Sequence, residues 1–235
     1  MTSAVSEGSL MDGGPSLEVR WILPGLPDTA VAGWFGTSVP GIESREDAYL
    51  LRPDLAGLSV KVRAGRALEV KMFLGSPGIL DLQGLARGRM QFWQKWSFPF
   101  RSFSQDIRDA GDWVRVRKQR RTIRFALAGG RVTPVGAGAR QPPDRQPPHW
   151  QSAGRQPAGQ ALCAVELTEL RTQGLDWWSV GLEATGPAGL VRTGLEAAAR
   201  LVFTDALPDG VQLRMADSAS YMDWLRSRPR GLVPR

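Results

Sequence analysis

Apolar and polar residues alternate one by one along much of the chain. Leu17, Val19 and Trp21 interleave with Glu18 and Arg20. Val60-Lys61-Val62-Arg63 and Leu68-Glu69-Val70-Lys71 repeat the pattern, and Ala64-Gly65-Arg66-Ala67 supplies a hairpin turn between them. Trp113-Val114-Arg115-Val116-Arg117, Val165-Glu166-Leu167-Thr168 and Val180-Gly181-Leu182-Glu183 follow the same design. Gln91 to Phe98 and Arg45 to Leu51 predict two further strands with less regular alternation. A period of two sends successive side chains to opposite faces of a sheet. One face then collects Glu18, Arg20, Lys61, Arg63, Glu69, Lys71, Lys95, Arg115, Arg117, Glu166, Thr168 and Glu183, and the other the aliphatic residues between them. By this parity Trp177 shares the charged face and Trp178 faces the core.

Helical patterns are fewer. Pro27 to Phe35 predicts a short helix opened by Pro or Asp. Gly189 to Phe203 predicts an amphipathic helix with Leu190, Leu195, Ala198, Leu201 and Val202 near one stripe. Ser218 to Arg226 predicts a short helix capped by serine. About eight strands with a few helices that do not alternate with them exclude a doubly wound α/β fold. Residues 1–15 are small and polar, which predicts a disordered tail. Residues 137–160 are rich in Pro, Gln, Arg and Gly without periodicity, which predicts a flexible loop. The strand pattern resumes after this loop, so it is read as an insertion in one domain spanning 16–228. Residues 229–235 form a tail whose Leu232-Val233-Pro234-Arg235 matches the stub of a thrombin-cleavable tag.

Composition narrows the partners. The 235 residues, 42% of them hydrophobic, can bury a substantial core, and a net charge of +7 favours anionic partners. Acidic lipid surfaces, nucleic acid and small phosphorylated ligands all fit that charge. A single cysteine, Cys163, allows no intramolecular disulfide. No apolar run reaches the roughly 18 residues of a membrane helix, and the first residues do not read as a signal peptide, so a cytoplasmic location is expected. The excess of Arg, Ala and Gly over Lys points to a GC-rich bacterial genome. No Walker loop, GxGxxG, CxxC, HExxH or GxSxG is present. The lone histidine, His149, lies in the Pro-rich loop, which argues against a histidine triad or histidine metal cluster.

Two architectures fit the alternation. In one, a sheet packs its apolar face on a core and exposes its charges to water. In the other, the sheet closes into a barrel with the charges inside. Such charges must be paired, since an unpaired buried charge is costly. Glu and Lys/Arg on the same strands supply that pairing, and the surplus of cations suits a polyanion gripped by Arg forks and Lys ammonium groups. The basic run Val114 to Arg124 also reads as a nucleic-acid surface. The nine tryptophans read first as core residues, and some could instead form an aromatic wall beside the cations.

These segments together resemble the CYTH, or triphosphate tunnel, superfamily. The resemblance is carried by Glu18 and Arg20, KVR at 61–63, EVK at 69–71, VRVRK at 114–118, VELTELRTQG at 165–174 and SVGLEA at 179–184, and spans residues 16–185. EVRWIL, REDAYL, FWQKWSF, the WW pair and SYMDWL are more closely similar to an uncharacterised bacterial CYTH-like subgroup. The resemblance implies a mainly β (α+β) fold, an antiparallel eight-stranded tunnel barrel with flanking helices that grips a triphosphate. Members include inorganic, thiamine and RNA triphosphatases and class IV adenylate cyclases. Carried onto this chain, it assigns phosphate binding to Arg20, Lys61, Arg63, Lys71, Lys95, Arg115 and Arg117. It assigns one Mg²⁺ or Mn²⁺ to Glu18 and Glu183, and the orientation of water to Glu166 or Glu69.

Two positions depart from the family. Its first strand reads Glu-x-Glu-x-Lys where this chain has Glu18, Arg20 and Ile22, and its late Glu-x-Glu is here Gly181 and Glu183. One carboxylate remains at each, which weakens a divalent site, and Arg20 puts a fixed cation in place of metal charge. The expected function is binding and turnover of a tri- or diphosphate, inorganic or organic. The alternatives are a non-catalytic polyphosphate- or nucleotide-binding protein, an enzyme acting on a prenyl diphosphate, and a nucleic-acid surface.

Overall fold

A computed structural model describes residues 11–36, 41–99, 111–135, 160–204 and 207–228. Nine strands form a single antiparallel sheet: β1 (Met11–Pro24), β2 (Glu43–Leu50), β3 (Leu58–Arg63), β4 (Ala67–Asp81), β5 (Arg87–Pro99), β6 (Trp113–Ala128), β7 (Arg131–Val135), β8 (Ala161–Thr172) and β9 (Leu175–Thr185). Their order is β2-β3-β4-β5-β1-β9-β8-β6-β7, and β2 also pairs with β6. That last pairing, from Glu43 opposite Arg120 to Leu50 opposite Trp113, closes eight strands into a barrel. β7 lies outside the ring as a hairpin partner of β6. Closure leaves none of the eight with a free edge along its whole length. Of the two architectures that the alternation allows, the structure is the closed antiparallel barrel, with flanking helices.

The helices are α1 (Thr29–Phe35), α2 (Ala188–Val202) and α3 (Tyr221–Arg226), with a 3₁₀ turn at Met215–Asp217. Asp28 caps α1 by accepting from the Val31 amide, and Ser220 caps α3 by accepting from the Asp223 amide. The main core lies outside the barrel, between its strands and the helices. Leu17, Val19 and Trp21 of β1, Val165 and Leu167 of β8, and Val180 and Leu182 of β9 pack there with Val191, Leu195 and Ala198 of α2. Trp21 is fully buried and donates its indole N–H to the Arg87 carbonyl at 2.9 Å. Gly88 makes room for that ring, because a Cβ there would sit 2.6 Å from it.

A second apolar cluster fills one end of the barrel. Ile22, Tyr49, Leu51, Val116 and Leu170 meet Met222, Trp224 and Leu225 of α3, which stops that end. Trp178 joins the outer core, as parity predicts, while Trp177 packs on the α3 cluster with its ring 5.5 Å from that of Trp224.

Some boundaries differ from expectation. β1 begins at Met11, inside the stretch expected to be a tail, because Met11 pairs with Ser97 of β5; residues 1–10 lie outside the described residues. β6 runs on to Ala128, so the basic run is one strand throughout. β7 had no regular alternation to betray it. The expected Pro-rich loop and C-terminal tail fall outside the described residues, apart from Gln160 just before β8. Among the described residues no helix is long and apolar enough to cross a membrane.

Candidate functional site: a charged barrel interior

The polar parity of the strands converges on the barrel interior. Arg20, Arg45, Lys61, Arg63, Lys71, Lys95, Lys118 and Arg120 line one cavity together with Glu18, Glu69, Glu166 and Glu183. The ion pairs fill most of it and leave a volume of about 80 Å³. Glu43 and Asp47 pair with some of the same cations, so among the described residues eight cations face six carboxylates. The interior therefore holds more positive than negative charge.

Each carboxylate is paired with cations, several of which are shared. Glu69 meets Lys61 at 3.0 Å, Arg63 at 2.9 Å and Lys95 at 3.4 Å. Burial alone would raise its pKa, but the three cations hold it well below the usual carboxylate range. Glu166 takes Arg20 at 3.0 Å on one oxygen and Arg120 on the other, and is likewise held low. Asp47, fully buried, receives Arg45, Lys61 and Lys118, and is held down against its own desolvation. Carboxylates held this low are poor proton acceptors at neutral pH.

Lys71 bridges Glu18 and Glu183. These two glutamates face each other across β1 and β9, and the Lys71 ammonium bonds Glu18 and lies 3.2 Å from Glu183. Burial, with repulsion from Glu183, raises the Glu18 pKa although Lys71 opposes the shift. Burial would also raise Glu183, but Lys71 and Lys95 pull it down to about 2. The paired glutamates keep Lys71 charged despite its burial.

Arg20 and Tyr221 join the wall to the end plug. The Arg20 guanidinium donates to Glu166 at 3.0 Å, Ser179 Oγ at 3.2 Å and Tyr221 OH at 3.1 Å, and stacks 4.4 Å from the Tyr221 ring centroid. Lys118 lies 3.8 Å from the same centroid and donates to Tyr49 OH at 2.7 Å. Burial lowers the Lys118 pKa and lifts the Tyr49 phenol to about 12. Arg20 also lies directly across β9 from Gly181. A Cβ at position 181 would come within 2.5 Å of Arg20 Cζ, so the guanidinium fits because position 181 is glycine.

Of the residues expected at the site, Glu18, Arg20, Lys61, Arg63, Glu69, Lys71, Lys95, Glu166 and Glu183 share this cavity. Arg115 and Arg117 do not. Both reach Glu46 on the outer face, and the Arg117 side chain is 77% exposed. The cause is a parity inversion on β6. Val114 and Val116 look like core residues, but Val116 is buried in the plugged end of the barrel and Val114 packs against it. The cavity cations of β6 are therefore Lys118 and Arg120. A signal for this was present, since Ile123 and Phe125 belong to the outer core, and counting back from them by twos puts Arg117 and Arg115 outside. Arg45, Asp47, Tyr49 and Tyr221 were also missed. REDAYLL carries polar residues at both parities, and Tyr221 reaches the cavity through tertiary packing.

No protein-family model matches the chain, and no curated protein matches it. Among solved structures, the chain is similar to a conserved hypothetical protein from Pyrococcus furiosus. The two are 12% identical over 88% of this chain and 98% of that one, with a TM-score of 0.46.

The donors themselves do not suit the expected Mg²⁺ or Mn²⁺. Among the described residues no group of three or more His, Cys, Asp or Glu side chains could hold a metal ion. Glu18 and Glu183 share the Lys71 ammonium, and Glu166 is taken by Arg20 and Arg120. A divalent ion asks for several oxygen ligands free of competing cations, and these residues do not fit one.

Two further donors line the cavity. Thr168 Oγ1 and Trp93 Nε1 are buried without a hydrogen-bond partner among the described residues. Buried polar groups are nearly always paired, and an orphaned one costs about 1–3 kcal/mol.

Proposed function

We propose that the barrel interior binds the phosphate groups of a small tri- or diphosphate, inorganic or organic. The observation that carries this reading is a joint excess of positive charge and of donors. Among the described residues eight cations face six carboxylates, and Thr168 and Trp93 add donors without an acceptor. A polyanion with many acceptor oxygens would satisfy both. The similarity of the alternating charged strands to the CYTH superfamily supports the same ligand class. The small cavity means that such an anion enters by exchange. Its oxygens would replace those of Glu69 on Lys61, Arg63 and Lys95.

The outer basic residues favour nucleic acid less. The run at 114–124 divides between the two faces of β6, with Lys118 and Arg120 turned into the barrel and Arg115 and Arg117 spending their charge on Glu46. For turnover, Glu166 and Glu69 are weak proton acceptors, and Glu18 is the cavity carboxylate whose basicity is raised. Binding is therefore the primary role proposed, with Glu18 as the group to test for hydrolysis.

Isothermal titration with tripolyphosphate tests the reading. Saturable binding is expected, weakened at least about tenfold by Lys61→Ala or Lys95→Ala, equivalent to about 1.4 kcal/mol, and unchanged by Arg117→Ala. No heat with tripolyphosphate, diphosphate or a nucleoside triphosphate would overturn it. Release of inorganic phosphate that disappears in Glu18→Gln would add catalysis to binding.

A further inference from the structure

The two departures from the family pattern, Arg20 and Gly181, are one structural event. They are direct cross-strand partners on β1 and β9, and Gly181 also faces Glu166 on β8. The guanidinium fills the space that any side chain at 181 would need, with Cζ and both Nη atoms within 2.7 Å of an added Cβ. It is fixed there by Glu166, Ser179 and Tyr221. Two residues along the same pair of strands, the Lys71 ammonium stands between Glu18 and Glu183. A metal ion bridging those glutamates would have to share its place with Lys71, and one reaching Glu166 would meet Arg20 and Arg120.

Building on the phosphate-binding reading above, we propose that this tunnel takes its anion free of divalent metal, with Arg20 and Lys71 supplying the positive charge that a metal ion would bring. A guanidinium stays charged at all pH values of interest and presents fixed, forked N–H donors suited to phosphate oxygens. The ligand class is therefore a di- or triphosphate in its uncomplexed form. Mg²⁺ in solution acts as a competitor, because it binds the ligand and lowers the charge that the tunnel recognises.

Two measurements on the wild-type full chain test this. The first titrates tripolyphosphate into the protein in EDTA and again in excess Mg²⁺. Weaker binding in Mg²⁺ is expected, and binding unchanged or tightened by Mg²⁺ would overturn the proposal. The second adds Mn²⁺ alone and follows its free-ion electron paramagnetic resonance signal. No stoichiometric loss of signal is expected. Uptake of one Mn²⁺ per chain that Glu18→Gln abolishes would overturn the proposal. The Mn²⁺ result stands whether or not tripolyphosphate binds, so absence of polyphosphate binding under both conditions counts against the phosphate reading and leaves the metal question to be answered by Mn²⁺.

Discussion

Strand β1 carries two different environments one residue apart. Leu17, Val19 and Trp21 pack into a dry core under the helices, while Glu18 and Arg20 face a barrel interior crossed by ion pairs. Both faces are buried, yet they are held by different forces. The outer face gains from removal of apolar area from water, at roughly 25 cal/mol per Å². The inner face offsets the desolvation of its charges by pairing them, and such pairing is often no better for stability than apolar packing would be. The surplus of cations over carboxylates is the feature on which the proposed anionic ligand rests. The outer face should therefore answer to changes in volume, and the inner face to changes in charge and to added anions.

The largest effects should separate the two faces. Trp21→Ala removes a fully buried ring and its hydrogen bond and should cost about 3–5 kcal/mol in chemical denaturation, with tripolyphosphate stabilising it no more than it stabilises wild type. Glu69→Gln should cost about 3 kcal/mol or more by leaving Lys61, Arg63 and Lys95 facing a neutral amide. Here tripolyphosphate should restore stability, raising the melting temperature more than it does for wild type. Equal rises in the two proteins would break the comparison.

A smaller effect sharpens the account of Arg20. Gly181→Ala places a methyl group against its guanidinium and should cost about 1–3 kcal/mol, as overpacking does. Combining it with Arg20→Ala should cost less than the sum of the two single changes, in a double-mutant cycle read by denaturation. Simple additivity would mean that the two positions do not share their space.

Acid should act on the inner face next. Glu183 and Glu43 are held near 2, the first mainly by Lys71 and Lys95, the second by Arg120 and Arg45, in both cases against burial. Groups depressed in the folded state stabilise it above their unfolded pKa, near 4.5, and lose that contribution as pH falls toward the folded value. The melting temperature should accordingly fall between about pH 4.5 and 2. Glu183→Gln should flatten part of that slope. The smallest effect is expected of Arg117→Ala, an exposed residue paired with Glu46, which should shift stability by less than about 0.5 kcal/mol.

Much of this molecule could be read from local pattern. A period of two identified most strands, and charge parity placed nine of the eleven expected site residues around one cavity. These features are local because a strand's side chains alternate wherever the strand lies. Where parity failed, on β6, the local pattern had two solutions. Val116 is apolar because it meets α3, an element that begins only at Tyr221. No window around residue 116 contains that information.

Sequence alone determined that this chain forms β-strands with one apolar and one charged face, and that cations outnumber carboxylates on the charged one. It left open whether that face meets water or itself. Tertiary structure decided this through the pairing of β2 with β6, which closes the ring and brings charges from distant strands within bonding distance. It also decided the partnership of Arg20 with Gly181 and the place of Lys71 between two glutamates. Cross-strand neighbours are set by which strands pair and in what register, and that is a property of the closed sheet as a whole.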